Sequence, residues 1–275
     1  MSDNEKLLDL VNSSGFPFQL YLKDAIDKSS DIHCWDVLSS EHFWRSPNTG
    51  HEGFIDIILG SSGIRANYRA VIECKRTQDA NWVFLTTDVA NHPKYISSLL
   101  QAFINTDMNT NFLDISYIDS SVQPFCQESN FCVIRGHNDK DKPMLERLST
   151  QLIQSVECLA IQELSNYKNE PIYTKTAPFY YFPIIVTNAN LFTCNFNPHT
   201  VNPDLGKLES KDVKIEPIDY ISFKKTLSSQ FKSHPRFNNN MLKMINQTYE
   251  RMVFIVKSTA ILKFLKELEI KKIHS

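Results

Sequence analysis

Two carboxylates and an ammonium group fall inside two apolar runs where a buried strand has no ordinary use for charge. Gly53-Phe54-Ile55-Asp56-Ile57-Ile58-Leu59 carries Asp56, and Ala70-Val71-Ile72-Glu73-Cys74-Lys75-Arg76 carries Glu73 and Lys75. The polar segment from Gly60 to Tyr68 reads as the closure of an antiparallel hairpin. Asp56 and Glu73 are equidistant from the Ile64-Arg65 step near its middle, so closure there sets the two carboxylates across from each other. Lys75 falls on the face of Glu73, two residues further on. Opposed cross-strand residues have Cβ atoms about 5 Å apart. At that separation two carboxylates repel by about 3 to 4 kcal/mol in an effective dielectric near 20. One ammonium cannot neutralise both. The remedies are a divalent cation held between the carboxylates or a raised pKa that keeps one of them protonated. Oxygen ligands beside a lysine suit Mg²⁺ and phosphate chemistry together, which makes the cation the expectation.

The order Asp, then Glu-x-Lys, on consecutive strands resembles the PD-(D/E)XK nuclease superfamily, the restriction-endonuclease-like fold. Here Ile55-Asp56 is followed by Glu73-Cys74-Lys75, with Ile55 where that family usually has proline. The resemblance covers about residues 15 to 200, from a helix before the hairpin to helix and strand elements after it. It implies a metal-dependent endonuclease that hydrolyses phosphodiester bonds of nucleic acid, DNA before RNA. Asp56, Glu73 and the backbone carbonyl of Cys74 would ligate Mg²⁺ (or Mn²⁺), and Lys75 would orient or deprotonate the attacking water. It further implies that Gln19, near the start of the first helix, can approach the metal and that Gln151, on a later helix, can turn toward the cut phosphate. Glu52, at the entrance of the Asp56 strand, is a further acidic candidate acting through water. Arg76 points away from the face of Lys75 and is assigned to backbone binding or structure. Free-standing chains of this kind look like bacterial antiphage defence nucleases or their accessory subunits. The competing expectation is therefore a non-catalytic nuclease-fold subunit that binds a partner protein or nucleic acid.

A formal charge of -2 gives no global field toward nucleic acid, so phosphate binding must come from a local concentration of Lys and Arg. The stretch from Tyr220 to Tyr249 contains no Asp or Glu but holds Lys224, Lys225, Lys232 and Arg236. It reads either as a phosphate-contacting surface or as a solvated basic segment. The six cysteines form no Cys-x-x-Cys pair and no zinc spacing, as in reduced cytosolic chains. The start lacks the charged and apolar regions of a signal peptide, and no apolar run reaches the length of a membrane span. The expectation is a soluble cytoplasmic protein without a membrane partner, and the sequence leaves self-association or an activating protein partner open.

The elements that must position the site follow from periodicity. Phe18, Tyr21, Leu22, Ala25 and Ile26 define a first helix over Phe16 to Lys28, with Pro17 in its first turn. His33 to Leu38 reads as a first strand, Trp82 to Leu85 as another, and Pro93 to Ile104 as a helix on the spacing of Tyr95, Ile96, Leu99, Leu100 and Phe103. From Pro143 to about Asn166, Leu145, Leu148, Leu152, Val156, Leu159 and Glu163 trace the buried stripe of a long helix. Phe179 to Val186 and Leu191 to Phe196 read as a second hairpin completing the sheet, and Asn197 to Pro217 as a long connection. Met252 to Val256 then gives a strand, and Ser258 is placed to cap a final helix. The sum is one α/β domain over 1–275, a mixed central β-sheet flanked by α-helices with a restriction-endonuclease-like core and a C-terminal elaboration.

Overall fold

The computed structural model describes residues 2–63, 66–77, 80–87, 96–107, 110–120, 127–134, 144–167, 177–232 and 240–268. Helix α1 (Asp3–Ser13) opens on a capping box in which the Ser2 hydroxyl accepts from the Glu5 N–H and the Glu5 carboxylate from the Ser2 N–H. Gly15, in the left-handed region at φ 82°, breaks the chain into α2 (Phe16–Asp27), which buries Gln19, Leu22 and Ile26. Strands β1 (Asp36–Arg45), β2 (Glu52–Ser62) and β3 (Asn67–Lys75) follow as an antiparallel meander. Next come β4 (Asn81–Thr87), the long hairpin β5 (Ile96–Asp107) and β6 (Thr110–Ser120), and the short β7 (Glu128–Ser129) and β8 (Cys132–Ile134). Helix α3 (Met144–Tyr167) leads to β9 (Phe179–Thr187), β10 (Asn190–Phe196), β11 (Val213–Ile218) and β12 (Tyr220–Thr226). Helix α4 (Met241–Tyr249), β13 (Glu250–Lys257) and α5 (Ile261–Glu267) end the described chain.

Nine of these strands form a mixed sheet with the order β1-β2-β3-β9-β13-β12-β7, and the β5/β6 hairpin pairs with the start of β9. Strand β9 runs parallel to both β3 and β13 and is buried at every residue. That explains why Phe179-Tyr180-Tyr181-Phe182-Pro183-Ile184-Ile185-Val186 is a continuous apolar run rather than an alternating one. One face of the sheet packs on α3 through Leu148, Leu152, Val156 and Leu159 against Val71, Ile185 and Val253. The other packs on α2 and α5 through Leu22, Ile26 and Phe264 against Ile57, Ala70, Ile72 and Phe254. The large mixed sheet flanked by helices is the α/β class expected. Among the described residues no helix is long and apolar enough to cross a membrane.

Several elements differ from the sequence reading. Strand β1 begins at Asp36 and continues to Arg45, well past Leu38. The segment read as a helix from Pro93 is strand β5 from Ile96 onward, because Leu100, Ala102 and Ile104 alternate into the α3-side core with β6 as hairpin partner; Tyr95 lies outside the described residues. β9 and β10 do not form a hairpin. The Asn188 side chain accepts from the Thr77 N–H at 2.7 Å and donates to the Thr77 carbonyl at 2.9 Å, which ties the ends of β9 and β3 together. The strands that follow each of them, β4 and β10, pair in parallel in a second sheet, order β11-β10-β4-β8. The long connection contains β11. A single 3-10 turn, Ser258–Ala260, precedes α5, so Ser258 is not its cap.

The glutamate on the stripe of α3 has a buried partner. Arg69 of β3 meets Glu163 at 2.7 Å, and the Tyr181 hydroxyl donates to the other Glu163 oxygen at 2.8 Å, so one network ties α3 to β3 and β9. Breaking a buried pair by removing one partner costs about 3 to 5 kcal/mol. Arg69→Ala is expected to lose stability on that scale in a denaturant titration, and a loss below about 1 kcal/mol would refute the assignment.

Candidate functional site

The β2/β3 ladder runs from Ser62↔Asn67 to Ile57↔Ile72 and stops there. Carried one step further, the register sets Asp56 opposite Glu73, as the residue spacing requires. Instead of continuing the ladder, Asp56 uses its side chain: Oδ2 accepts the Cys74 N–H at 2.6 Å. The N–H and C=O of one strand residue point to the same edge, so the Cys74 carbonyl also faces the gap between β2 and β3.

The gap has a cause in β1 and β2. His42↔Ile55 and Ser40↔Ile57 are successive pairs on alternate residues and should share one face. They do not: Ile55 packs in the α3-side core, and the His42 and Gln162 side chains meet at 3.2 Å on that side, whereas Ile57 packs in the α2-side core. Both strands turn over between these pairs, at Glu41 and Asp56. Among the described residues Glu41 is the one non-glycine with positive φ, at 53°. That left-handed residue reverses the alternation and releases Asp56 from either core.

Gln19 fixes the turnover. Only 8 % exposed, it donates to the Glu41 carboxylate at 2.5 Å and to the Asp56 backbone carbonyl at 3.1 Å. Gln19 therefore lies at the site, bound to β1 and β2 rather than free to meet a ligand. Glu41 is the site residue that sequence reasoning missed. It lay in a polar stretch, Ser39-Ser40-Glu41-His42, with no apolar alternation to mark a strand, and a left-handed backbone leaves no signature in a glutamate.

The electrostatics follow from burial. Desolvation raises Asp56 to about 6; the Cys74 N–H opposes this, and the charge of Glu41 adds to it. Desolvation raises Glu73 to about 7, with the charges of Asp56 and Glu41 adding and Lys75 opposing. Burial also drives the Cys74 thiol far up, so it stays a neutral thiol. Glu73 forms no hydrogen bond and Lys75 no ion pair with another described residue. Of the two remedies for opposed carboxylates, the protein alone shows the raised pKa.

Glu73 lines a cleft of about 330 Å³ with Glu52, His51 and, from α3, Gln151 and Gln154. Its wall is the Trp44 indole, which lies against Gly53; a Cβ there would sit 3.2 Å from Nε1. The cleft thus joins Glu73 to two of the secondary candidates. Glu52 is exposed and sits 4.0 Å from Arg45. Gln151 is an exposed residue of α3.

The remaining candidates lie elsewhere. Arg76 donates to the Asn12 carbonyl at 2.5 Å and so fastens the end of α1, a structural use. Lys224 is 17 % exposed between Glu128 and Glu250, at 3.7 and 3.2 Å. Lys225 pairs with Glu146 at 3.6 Å and covers the Phe131 ring. The acid-free stretch is therefore not a free cationic face at these two lysines, because acids from β7, α3 and β13 fold against it. Lys232 is exposed, and Arg236 lies outside the described residues. Cys34, Cys74, Cys132, Cys158 and Cys194 are free thiols.

For a divalent ion the donors are the free oxygens of Asp56 and Glu73 and the Cys74 carbonyl, a hard oxygen set suited to Mg²⁺. Among the described residues no three His, Cys, Asp or Glu side chains converge on one ligand position. An ion there would complete its shell with water or a phosphate oxygen. No protein-family model, curated protein or solved structure matches this chain.

Both carboxyl groups bind protons more tightly folded than unfolded, where their values are 3.8 and 4.5. Their contribution to stability is thus complete below about pH 4 and is lost as pH rises through about 6 to 7. In EDTA, Asp56→Asn and Glu73→Gln are each expected to gain melting temperature relative to the parent on going from about pH 5 to pH 8. Equal parent and variant melting temperatures at both values would show the carboxyl groups to be solvated.

Proposed function

We propose that this chain is a metal-dependent nuclease that hydrolyses phosphodiester bonds, DNA before RNA, at the open end of β2 and β3. The observation that carries the reading is the desolvated pair Asp56 and Glu73, Asp56 bonded to the Cys74 N–H in the β2/β3 gap and Glu73 facing the adjoining cleft within electrostatic reach of it, with no cation bonded to either. A structural pair of carboxylates would be cross-linked or solvated, and this one is neither. The order of elements supports it: a helix (α2), the antiparallel strands β1 to β3, then α3 and a strand parallel to β3. This is consistent with the core that the Asp and Glu-x-Lys motif implies.

A bound Mg²⁺ would supply charge for the phosphate and lower the pKa of a water. The chain's own residues do the rest. Asp56 is locked by the Cys74 N–H, so its second oxygen is preoriented toward the gap. Glu73 faces the cleft, where a substrate phosphate has room to lie. Lys75, on the same face two residues on, can hold or take a proton from the attacking water and oppose charge developing on the phosphorus. Gln151 and Gln154 offer neutral donors along the cleft wall, which suits a phosphate backbone without demanding sequence.

Purified protein should cut plasmid, linear duplex, single-stranded DNA or RNA in Mg²⁺ or Mn²⁺ and not in EDTA. Asp56→Asn and Lys75→Ala should each lower the rate by at least about 100-fold while far-UV circular dichroism is unchanged. With the metal present, the rate should climb as pH rises toward neutrality and the carboxyl groups ionise. Cutting that persists in EDTA would eliminate the metal chemistry, and cutting of no substrate would favour a nuclease-fold subunit that acts by binding.

A further inference from the structure

A second feature is independent of the Asp56 site. Helix α1 buries none of its residues, although Leu7, Leu8, Leu10 and Val11 give it an apolar side. Phe16 and Leu20 extend that surface onto α2, and the six side chains are 52 to 66 % exposed. An isolated helix shorter than about 12 residues is marginal in water, and most helix stability comes from packing an apolar face. Helix α1 spans 11 residues. Among the described residues α1 meets the start of α2 across the Gly15 break and accepts the Arg76 bond at Asn12, and none of its own residues is buried. The leucine side therefore lacks the packing that would hold such a helix.

Charge and area identify what covers it. The polar side of α1 carries Glu5 and Asp9 against Lys6, and Asp3 sits at the N-terminal end of the leucine side, so an anionic membrane or a nucleic acid is repelled. The surface is convex and apolar, which suits neither a small ligand nor a charged peptide. Together the six side chains expose roughly 650 Å², within the about 600 to 1,000 Å² per partner of a standard interface and at the upper edge of the about 300 to 600 Å² of a monomer's largest patch. A two-fold contact requires a patch complementary to itself, and a leucine-rich face without charge at its centre meets that condition.

We propose that the apolar face formed by α1 and the start of α2 is an isologous dimer interface, covered by the same face of a second copy of this chain. In the dimer the two α1 helices supply each other's missing packing. The proposal requires nothing of the carboxylate site and can stand or fall without it.

Sedimentation equilibrium of the full chain should give twice its 31.7 kDa mass at tens of micromolar and dissociate on dilution by mass action. The double variant Leu7→Lys with Val11→Lys should weaken the dimer by at least about 100-fold, with the far-UV spectrum of the body retained. Leu205→Lys, at an equally exposed leucine outside the patch, should leave it intact. A parent chain monomeric at about 100 µM, a dimer indifferent to the double variant, or growth into open polymers would each overturn the proposal.

Discussion

Desolvation of two carboxylates at the place where β1 and β2 turn over is the constraint on which the rest of this molecule's chemistry depends. A regular alternation along β2 would send Asp56 into the α3-side core with Ile58, at prohibitive cost for a charged group. The left-handed Glu41 reverses the alternation instead, and Asp56 comes to rest in the plane of the sheet against the Cys74 N–H. That single bond has two effects. It satisfies a backbone donor left by the end of the ladder, and it stops β2 and β3 from zipping further, which keeps the Cys74 carbonyl facing the gap. Gln19 then couples the turnover to α2, so the helix that packs on the sheet also sets the position of the site.

The two-sheet layout serves the same end. Strands β3 and β9 run in parallel up to Lys75↔Thr187, are joined just beyond by the Thr77 and Asn188 bonds, and are followed by β4 and β10, which pair in parallel in the second sheet. Glu73 and Lys75 therefore sit at the last turn of a strand that is anchored beyond them as well as before them. A polar group at a free strand end frays with its backbone, whereas this one is held from both directions.

The core of this arrangement was legible from residue spacing because it rests on local rules. The hairpin register followed from symmetry about its loop, α3 from a stripe at three- and four-residue steps, and β9 from an unbroken apolar run. What could not be read was set by contacts distant in sequence. Strand β5 has apolar residues whose spacing fits a helix as well as a strand, and only pairing with β6 and β9 decides between them. The separation of β9 from β10 depends on Asn188 meeting Thr77, which is 111 residues away. Glu41 was invisible for a different reason: its role comes from a backbone angle that its side chain does nothing to favour. The neutralisation of Lys224 and Lys225 likewise arises from acids on three other elements.

Whether the Asp56 and Glu73 pair is a site or an accident can be judged against the molecule's other buried carboxylates. Glu157, fully buried on α3, accepts from the Tyr117 hydroxyl at 2.8 Å, from the Ser229 hydroxyl and from the Gln230 N–H at 2.9 Å. The Arg251 guanidinium reaches that cluster through Ser229 at 2.9 Å. Glu163, one further turn and a half along α3, holds Arg69 and Tyr181. Each of these structural carboxylates thus has a donor on both of its oxygens, at least one of them a hydroxyl, and a guanidinium bonded to it or one hydroxyl away. Glu73 receives none of these, and Asp56 receives only Cys74, its backbone N–H on one oxygen and its thiol beside it. Several ordinary substitutions could have supplied a partner, for instance an arginine where β9 places Ile185 beside Glu73. The fold solves the same electrostatic problem twice on α3 and leaves it open at the end of β2 and β3, where burial holds the two carboxyl groups protonated to higher pH and where a cation, on the reading proposed above, would relieve the repulsion once they ionise.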